Sequence, residues 1–119
     1  MEQIFQQLIP PDHQTVLMFT SPVTSLGVVA NMIAVNHGNV LVNQGVQSAD
    51  YGNDSDYVRV AIGNSVVINE TNYIAYDTFL PPGHMTQWQA LSLQAGETVF
   101  VYSEKGQTSF TLIGTTYDV

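Results

Sequence analysis

The chain has 119 residues, with ten acidic and two basic side chains, no cysteine and a formal net charge of −8. That length suits one domain, and a hydrophobic fraction of 45% is enough to build a core, so global disorder is not expected. Two cations cannot displace the counterions of a nucleic acid, and without cysteine neither a disulfide nor a cysteine-ligated zinc site can form.

The first predicted element is a short helical arm at the N terminus. Its apolar residues have the i, i+4 spacing that places side chains on one face of a helix: Ile4, Phe5, Leu8 and Ile9. Pro10-Pro11 ends the segment, and so short a helix does not persist alone in water. We therefore expect an arm over residues 1–14 that packs on its own domain, reaches a neighbouring subunit or frays, followed by a β-domain over residues 15–119.

The rest of the chain alternates short β-rich segments with turn signals made of Gly, Pro, Asn and Asp. The predicted strands are 15–20, 26–35, 57–62, 73–80, 84–93, 98–102 and 109–113, with shorter β-segments at 40–46 and 66–68. This pattern predicts an all-β fold, a single antiparallel β-sandwich of seven or eight strands that is Ig-like or jelly-roll-like. In the second strand, Val29, Met32 and Ile33 are expected to face inward.

The acidic segment 50–56 is the strongest metal candidate. Asp50, Asn53, Asp54 and Asp56 carry oxygen atoms of the kind that bind calcium, but their order differs from that of an EF-hand. We read residues 47–56 as an exposed, solvated loop, with calcium binding or a partner contact as the alternatives. No cofactor is expected.

The sequence contains no pattern typical of catalysis. It has no serine in a G-x-S-x-G turn, no cysteine and no carboxylates that the predicted strands bring face to face. We therefore expect a protein that is not an enzyme. Residues 1–9 also lack the features of a signal peptide, and no apolar run is long enough to span a membrane.

Most of the aromatic residues in the predicted strands are expected in the core: Tyr73, Tyr76, Phe79, Phe100, Tyr102 and Phe110. Trp88 has the polar neighbours Gln87 and Gln89 and is a candidate for a partner interface, as is the apolar side of the arm. The single lysine, Lys105, falls in a predicted turn, so charge does not protect the strand edges. We expect other subunits to cover them.

Several segments carry a resemblance to a known group of proteins. Val16 to Pro22 gives a strand and a proline turn, and Gly27 to Asn36 gives a valine-rich strand that ends in Asn. They are followed by Tyr73 to Asp77, Leu91 to Tyr102 and Ser109 to Gly114. In this order and spacing the chain resembles small β-sandwich virion structural proteins of tailed bacteriophages.

The resemblance implies a non-enzymatic virion protein that assembles in the host cytoplasm, with copies of itself and other virion proteins as partners. We expect an assembly module of the tail, baseplate or fibre-attachment apparatus, and the alternative is a capsid decoration (cement) protein on the head surface. A carbohydrate-binding module for host surface glycans, built on Tyr51, Trp88 and the acidic loop, is a further reading. Neither nucleic acid nor membrane is expected as a partner.

Overall fold

The computed structural model describes residues 2–38, 54–64 and 70–117, which form eight strands and one short 3-10 helix. The strands are β1 (Gln3–Leu8), β2 (Gln14–Thr20), β3 (Gly27–Asn36), β4 (Asp56–Gly63), β5 (Tyr73–Leu80), β6 (Met85–Gln94), β7 (Thr98–Ser103) and β8 (Thr108–Tyr117). The 3-10 helix covers Glu70–Asn72. No helix in the described ranges is long and apolar enough to cross a membrane.

The strands pair as one long hairpin that has been rolled up. β1 pairs with β8, β2 with β7, β3 with β6 and β4 with β5, all antiparallel. Rolling adds the pairs β3–β8 and β4–β7, which gives two four-stranded sheets, β1-β8-β3-β6 and β2-β7-β4-β5. This connectivity is that of a jelly roll, so the predicted antiparallel β-sandwich is confirmed in its jelly-roll rather than its Ig-like form.

The core lies between the two sheets and is made of apolar side chains from both. Its fully buried members include Val28, Met32, Val58, Val60, Leu93, Val99, Val101, Phe110 and Leu112. Burial alternates along β3, so Val28 and Ala30 face the core while Val29 is 46% exposed. The predicted inward positions of Val29 and Ile33 are wrong, because adjacent residues of a strand point to opposite faces and the buried Met32 fixes which face is inward.

The turn signals located most of the strands correctly. Six of the seven predicted main strands begin and end within one residue of the observed bounds. The last strand is longer than predicted and continues to Tyr117, because it pairs with β3 along its whole length. The β-segments predicted at 40–46 and 66–68 lie outside the described residues.

The predicted N-terminal helix is wrong, because residues 3–8 form a strand. β1 pairs with β8 from Gln3–Thr115 to Leu8–Phe110, and Ile4 and Leu8 pack against the core. A spacing of four residues is a multiple of the two-residue period of a strand as well as close to one helical turn. The segment is therefore the edge strand of its own sandwich.

Candidate functional site

The outer surface of the sheet β2-β7-β4-β5 carries a cluster of rings around one arginine. Its members come from β4, β5 and β7 and are Tyr57, Arg59, Tyr73, Tyr76, Asp77, Phe79 and Tyr102. We call this cluster the aromatic face. It exists because Val58 and Val60 take the inner face of β4, which leaves Tyr57 and Arg59 on the outer one.

Arg59 is held on three sides. Its Nε donates to Asp77 Oδ1 at 2.6 Å, and its Cζ lies 4.2 Å from the centroid of the Tyr76 ring and 4.5 Å from that of Tyr102. The hydrogen bond to Asp77 raises the pKa of Arg59 above its ordinary value, and partial burial raises that of Tyr102. Both groups therefore keep their usual protonation states at neutral pH, with the cation between two rings.

A β-bulge places Asp77 and Tyr76 beside Arg59. Val58 pairs with Thr78 and Val60 pairs with Ala75, so two residues of β5 stand opposite the single residue Arg59. Asp77 has a φ of 51°, in the left-handed region that Asp tolerates better than most residues. Bulges redirect side chains in this way and are frequent beside binding sites.

The remaining rings pair with one another at the surface. The rings of Tyr57 and Phe79 lie 5.5 Å apart in a tilted arrangement, and those of Tyr73 and Tyr76 lie 5.0 Å apart edge to face. Tyr73, Tyr76 and Glu70 line a shallow hollow of about 410 Å³. The hollow offers ring surface and one carboxylate, which suits contact with a flat or hydroxyl-rich group.

The aromatic residues assigned to the core divide into two groups. Phe100 and Phe110 are buried as predicted, whereas Tyr76 and Phe79 are 58% and 52% exposed. Those two assignments are wrong, because Ala75 and Leu80 take the inner face of β5 and their neighbours Tyr76 and Phe79 therefore point to the outer face. Arg59 was not among the predicted site residues, although the alternation of valines in β4 places it on the outer face.

The other sheet has an exposed apolar patch of its own. Phe5, Val29 and Ile113 lie on its outer surface and are 61%, 46% and 46% exposed. Together with Asn31 and Thr115 they line a groove of about 480 Å³. Both outer faces of the sandwich therefore present large apolar side chains to solvent.

The predicted interface residues fall on two sides of the structure. Ile4, Leu8 and Trp88 are partly buried and pack against the core, so their apolar surface is largely used within the chain. Phe5 and Ile9 are more than half exposed and remain available to a partner. Of the predicted residues, Phe5 is the one that joins the exposed patch.

The acidic segment is only partly described, and its described end is buried rather than exposed as predicted. Asp56 is fully buried, and its Oδ1 accepts from the backbone N–H groups of Tyr57 and Lys105 at 2.8 and 3.0 Å. Its Oδ2 accepts from the hydroxyls of Ser103 and Thr108. The Asp56 carboxylate thus joins the start of β4 to the hairpin between β7 and β8.

Asn36 continues this buried polar cluster at the same end of the sandwich. Its Nδ2 donates to the carbonyl oxygens of Asp54 and Leu80 at 3.0 and 2.8 Å, and its Oδ1 accepts from Gly38 N at 2.8 Å. Gln107 Nε2 donates to the Asp54 carbonyl at 2.6 Å. These bonds hold the ends of β3, β4 and β5 together.

In this arrangement Asp56 is not available as one of the four predicted calcium ligands. Both carboxylate oxygens of Asp56 face protein donors, so Asp56 does not point at a surface cation. Asp50 and Asn53 lie outside the described residues. Within the described ranges no group of three or more His, Asp or Glu side chains is placed to hold a metal ion.

Comparison with known proteins gives no relative. No protein-family model, no curated protein and no solved structure matches this chain.

Proposed function

We propose that this chain is a non-enzymatic structural protein of a tailed-phage virion, a β-sandwich assembly module of the tail, baseplate or fibre-attachment apparatus. A capsid decoration (cement) protein on the head surface is the alternative placement. The observation that carries the proposal is the exposure of large apolar and aromatic side chains on the outer faces of both sheets.

Contiguous apolar patches on soluble proteins mark surfaces that contact a partner, and interfaces are enriched in aromatic residues and arginine. The aromatic face has this composition, with four tyrosines, one phenylalanine and Arg59. A chain with only 10% charged residues also has little charge with which to keep such surfaces apart.

The architecture is compatible with this role. Jelly rolls are common in viral coat proteins, although fold alone does not establish function. A rigid sandwich with contact surfaces on opposite faces can bridge two neighbours in an assembly. Because the contacts are repeated over many copies, each one can be modest while the assembly stays durable.

The test is quantitative mass spectrometry of purified particles from the phage that carries this gene. The proposal predicts that the chain co-purifies with the particles at a fixed ratio to a tail protein. Several hundred copies in each particle would favour the head placement instead. Absence of the chain from purified particles would contradict both placements.

A carbohydrate-binding module remains the second candidate, and the hollow beside Tyr73 and Tyr76 is the observation that favours it. Of the residues first proposed for such a site, Tyr51 lies outside the described part of the chain and Trp88 packs against the core. Binding in a glycan array that is lost in Tyr76→Ala and retained in Phe5→Ala would support it. No binding with or without calcium would count against it.

A further inference from the structure

The outer edge of β1 has backbone groups that no described strand uses. β1 is the first strand of its sheet and pairs only with β8. The carbonyl of Glu2 accepts from Thr116 N at 2.8 Å, so the backbone of Glu2 faces β8. Because these groups alternate along an antiparallel strand, Gln3, Phe5 and Gln7 direct their N–H and C=O groups to the open edge.

The other three edge strands are interrupted by bulges. β2 has an extra residue at Met18, β5 at 76–77 and β6 at 89–90, where Ala90 has a φ of 55°. A bulge disrupts the ladder and is one of the devices by which proteins prevent edge-to-edge pairing. β1 keeps an unbroken register with β8 over its whole length, so the regular edge is the one at β1.

The side chains of β1 do not protect its edge either. Residues 3–8 contain no charge, no proline and no glycine. Phe5 is 61% exposed on the outer face, beside Ile113 and the groove of about 480 Å³. An uncharged, regular and partly apolar edge is what a pairing strand requires.

We propose that β1 pairs antiparallel with β1 of a second copy of this chain, with Phe5 opposite Phe5 across a two-fold axis. Gln3 then stands opposite Gln7 of the second copy, and each of these pairs exchanges backbone hydrogen bonds. The two four-stranded sheets become one continuous sheet, and the two Phe5 rings cover each other beside Ile113.

A second copy fits this edge better than an unrelated strand because the edge is complementary to itself. The residues that face the open edge are symmetric about Phe5, with Gln3 on one side and Gln7 on the other. In the antiparallel pair each Gln3 therefore lies opposite a Gln7, and the two Phe5 rings lie opposite each other. The nearest acid, Glu2, lies at opposite ends of the two paired strands. The two Glu2 residues are then ~20 Å apart along the strands, beyond the ~8 Å screening length at physiological salt.

The test is sedimentation of the purified chain from low micromolar to several hundred micromolar concentration. The wild type should shift from monomer to dimer as concentration rises. Gln7→Pro, which removes an N–H at the open edge, should raise the dimer dissociation constant at least about tenfold while the circular dichroism spectrum is unchanged. Gln7→Ala removes the same side-chain amide but keeps that N–H, so it is the matched control and is expected to dimerise more tightly than Gln7→Pro.

Phe5→Lys serves as a second variant in case Gln7→Pro does not fold. It places two like charges at the two-fold axis and should abolish the dimer. A wild type that stays monomeric throughout, or Gln7→Pro and Phe5→Lys variants that dimerise as tightly as the wild type, would overturn the proposal. The pairing deepens the proposed role in assembly, but particle composition tests that role separately, so the two failures are distinguishable.

Discussion

Arg59 and Asp77 lie on neighbouring strands, and the bulge in β5 brings the carboxylate Oδ1 within 2.6 Å of the guanidinium Nε. The pair joins one of the chain's two cations to the aromatic face, between the Tyr76 and Tyr102 rings. It therefore orders a surface that we propose to be a partner contact.

We expect Asp77→Asn to lower the free energy of unfolding by about 0.5–1 kcal/mol, because the pair is partly exposed and solvent screens it. Asn tolerates the left-handed backbone at this position, so the change isolates the charge. Arg59→Met should cost about 1–2 kcal/mol, since it also removes the contacts with two rings. Urea unfolding of both single variants and the double variant measures the coupling, and zero coupling would contradict the geometry.

Asp56→Asn should be the more damaging change, with a loss of about 2–4 kcal/mol at neutral pH. In one orientation the N–H₂ group of the new amide faces two backbone N–H donors. In the other orientation it faces two hydroxyl groups that donate to the carboxylate in the wild type. Ser103 Oγ already accepts from Gly106 N, so it is poorly placed to reverse its role. Thermal or urea unfolding measures the loss.

The matched control for this change is Asp12→Asn, because Asp12 is largely exposed. It should alter the free energy of unfolding by less than about 0.5 kcal/mol. Equal effects of the two substitutions would show that the buried cluster around Asp56 does not contribute to stability as described.

Ala90→Gly is expected to stabilise the protein by up to about 1 kcal/mol. Ala90 has a φ of 55° in the β6 bulge, where its N–H donates to Asn31 Oδ1 at 2.9 Å. Glycine adopts that conformation without the steric cost that alanine carries. Ala34→Gly, in the buried and regular part of β3, should instead destabilise by about 1 kcal/mol. A similar loss at both positions would contradict the bulge.

Strand positions could be predicted from the sequence because local turn residues mark their ends. The strand β1 could not, since the spacing of Ile4 and Leu8 satisfies both helical and strand periods, and its partner β8 begins a hundred residues later. The choice between helix and strand then depends on the register with a distant strand, and that register leaves no pattern in the local sequence.

The candidate surfaces were predictable only in part. Exposed Phe5 was among the predicted interface residues, whereas Tyr76 and Phe79 were assigned to the core because aromatic residues are usually buried. Which face of β5 is buried depends on its pairing with β4, which places Phe79 opposite Tyr57 on the outer face. Likewise, Asp56 is buried because hydroxyls of the distant residues Ser103 and Thr108 bind its carboxylate.

Cryo-electron microscopy of purified particles, with the jelly roll located in the density, tests the proposed assembly role. We predict a sandwich whose β1 edge meets that of a second copy and whose aromatic face, at Tyr76 and Phe79, contacts another chain. A particle that lacks this sandwich, or one in which both outer faces stand free in solvent, would contradict the central claim.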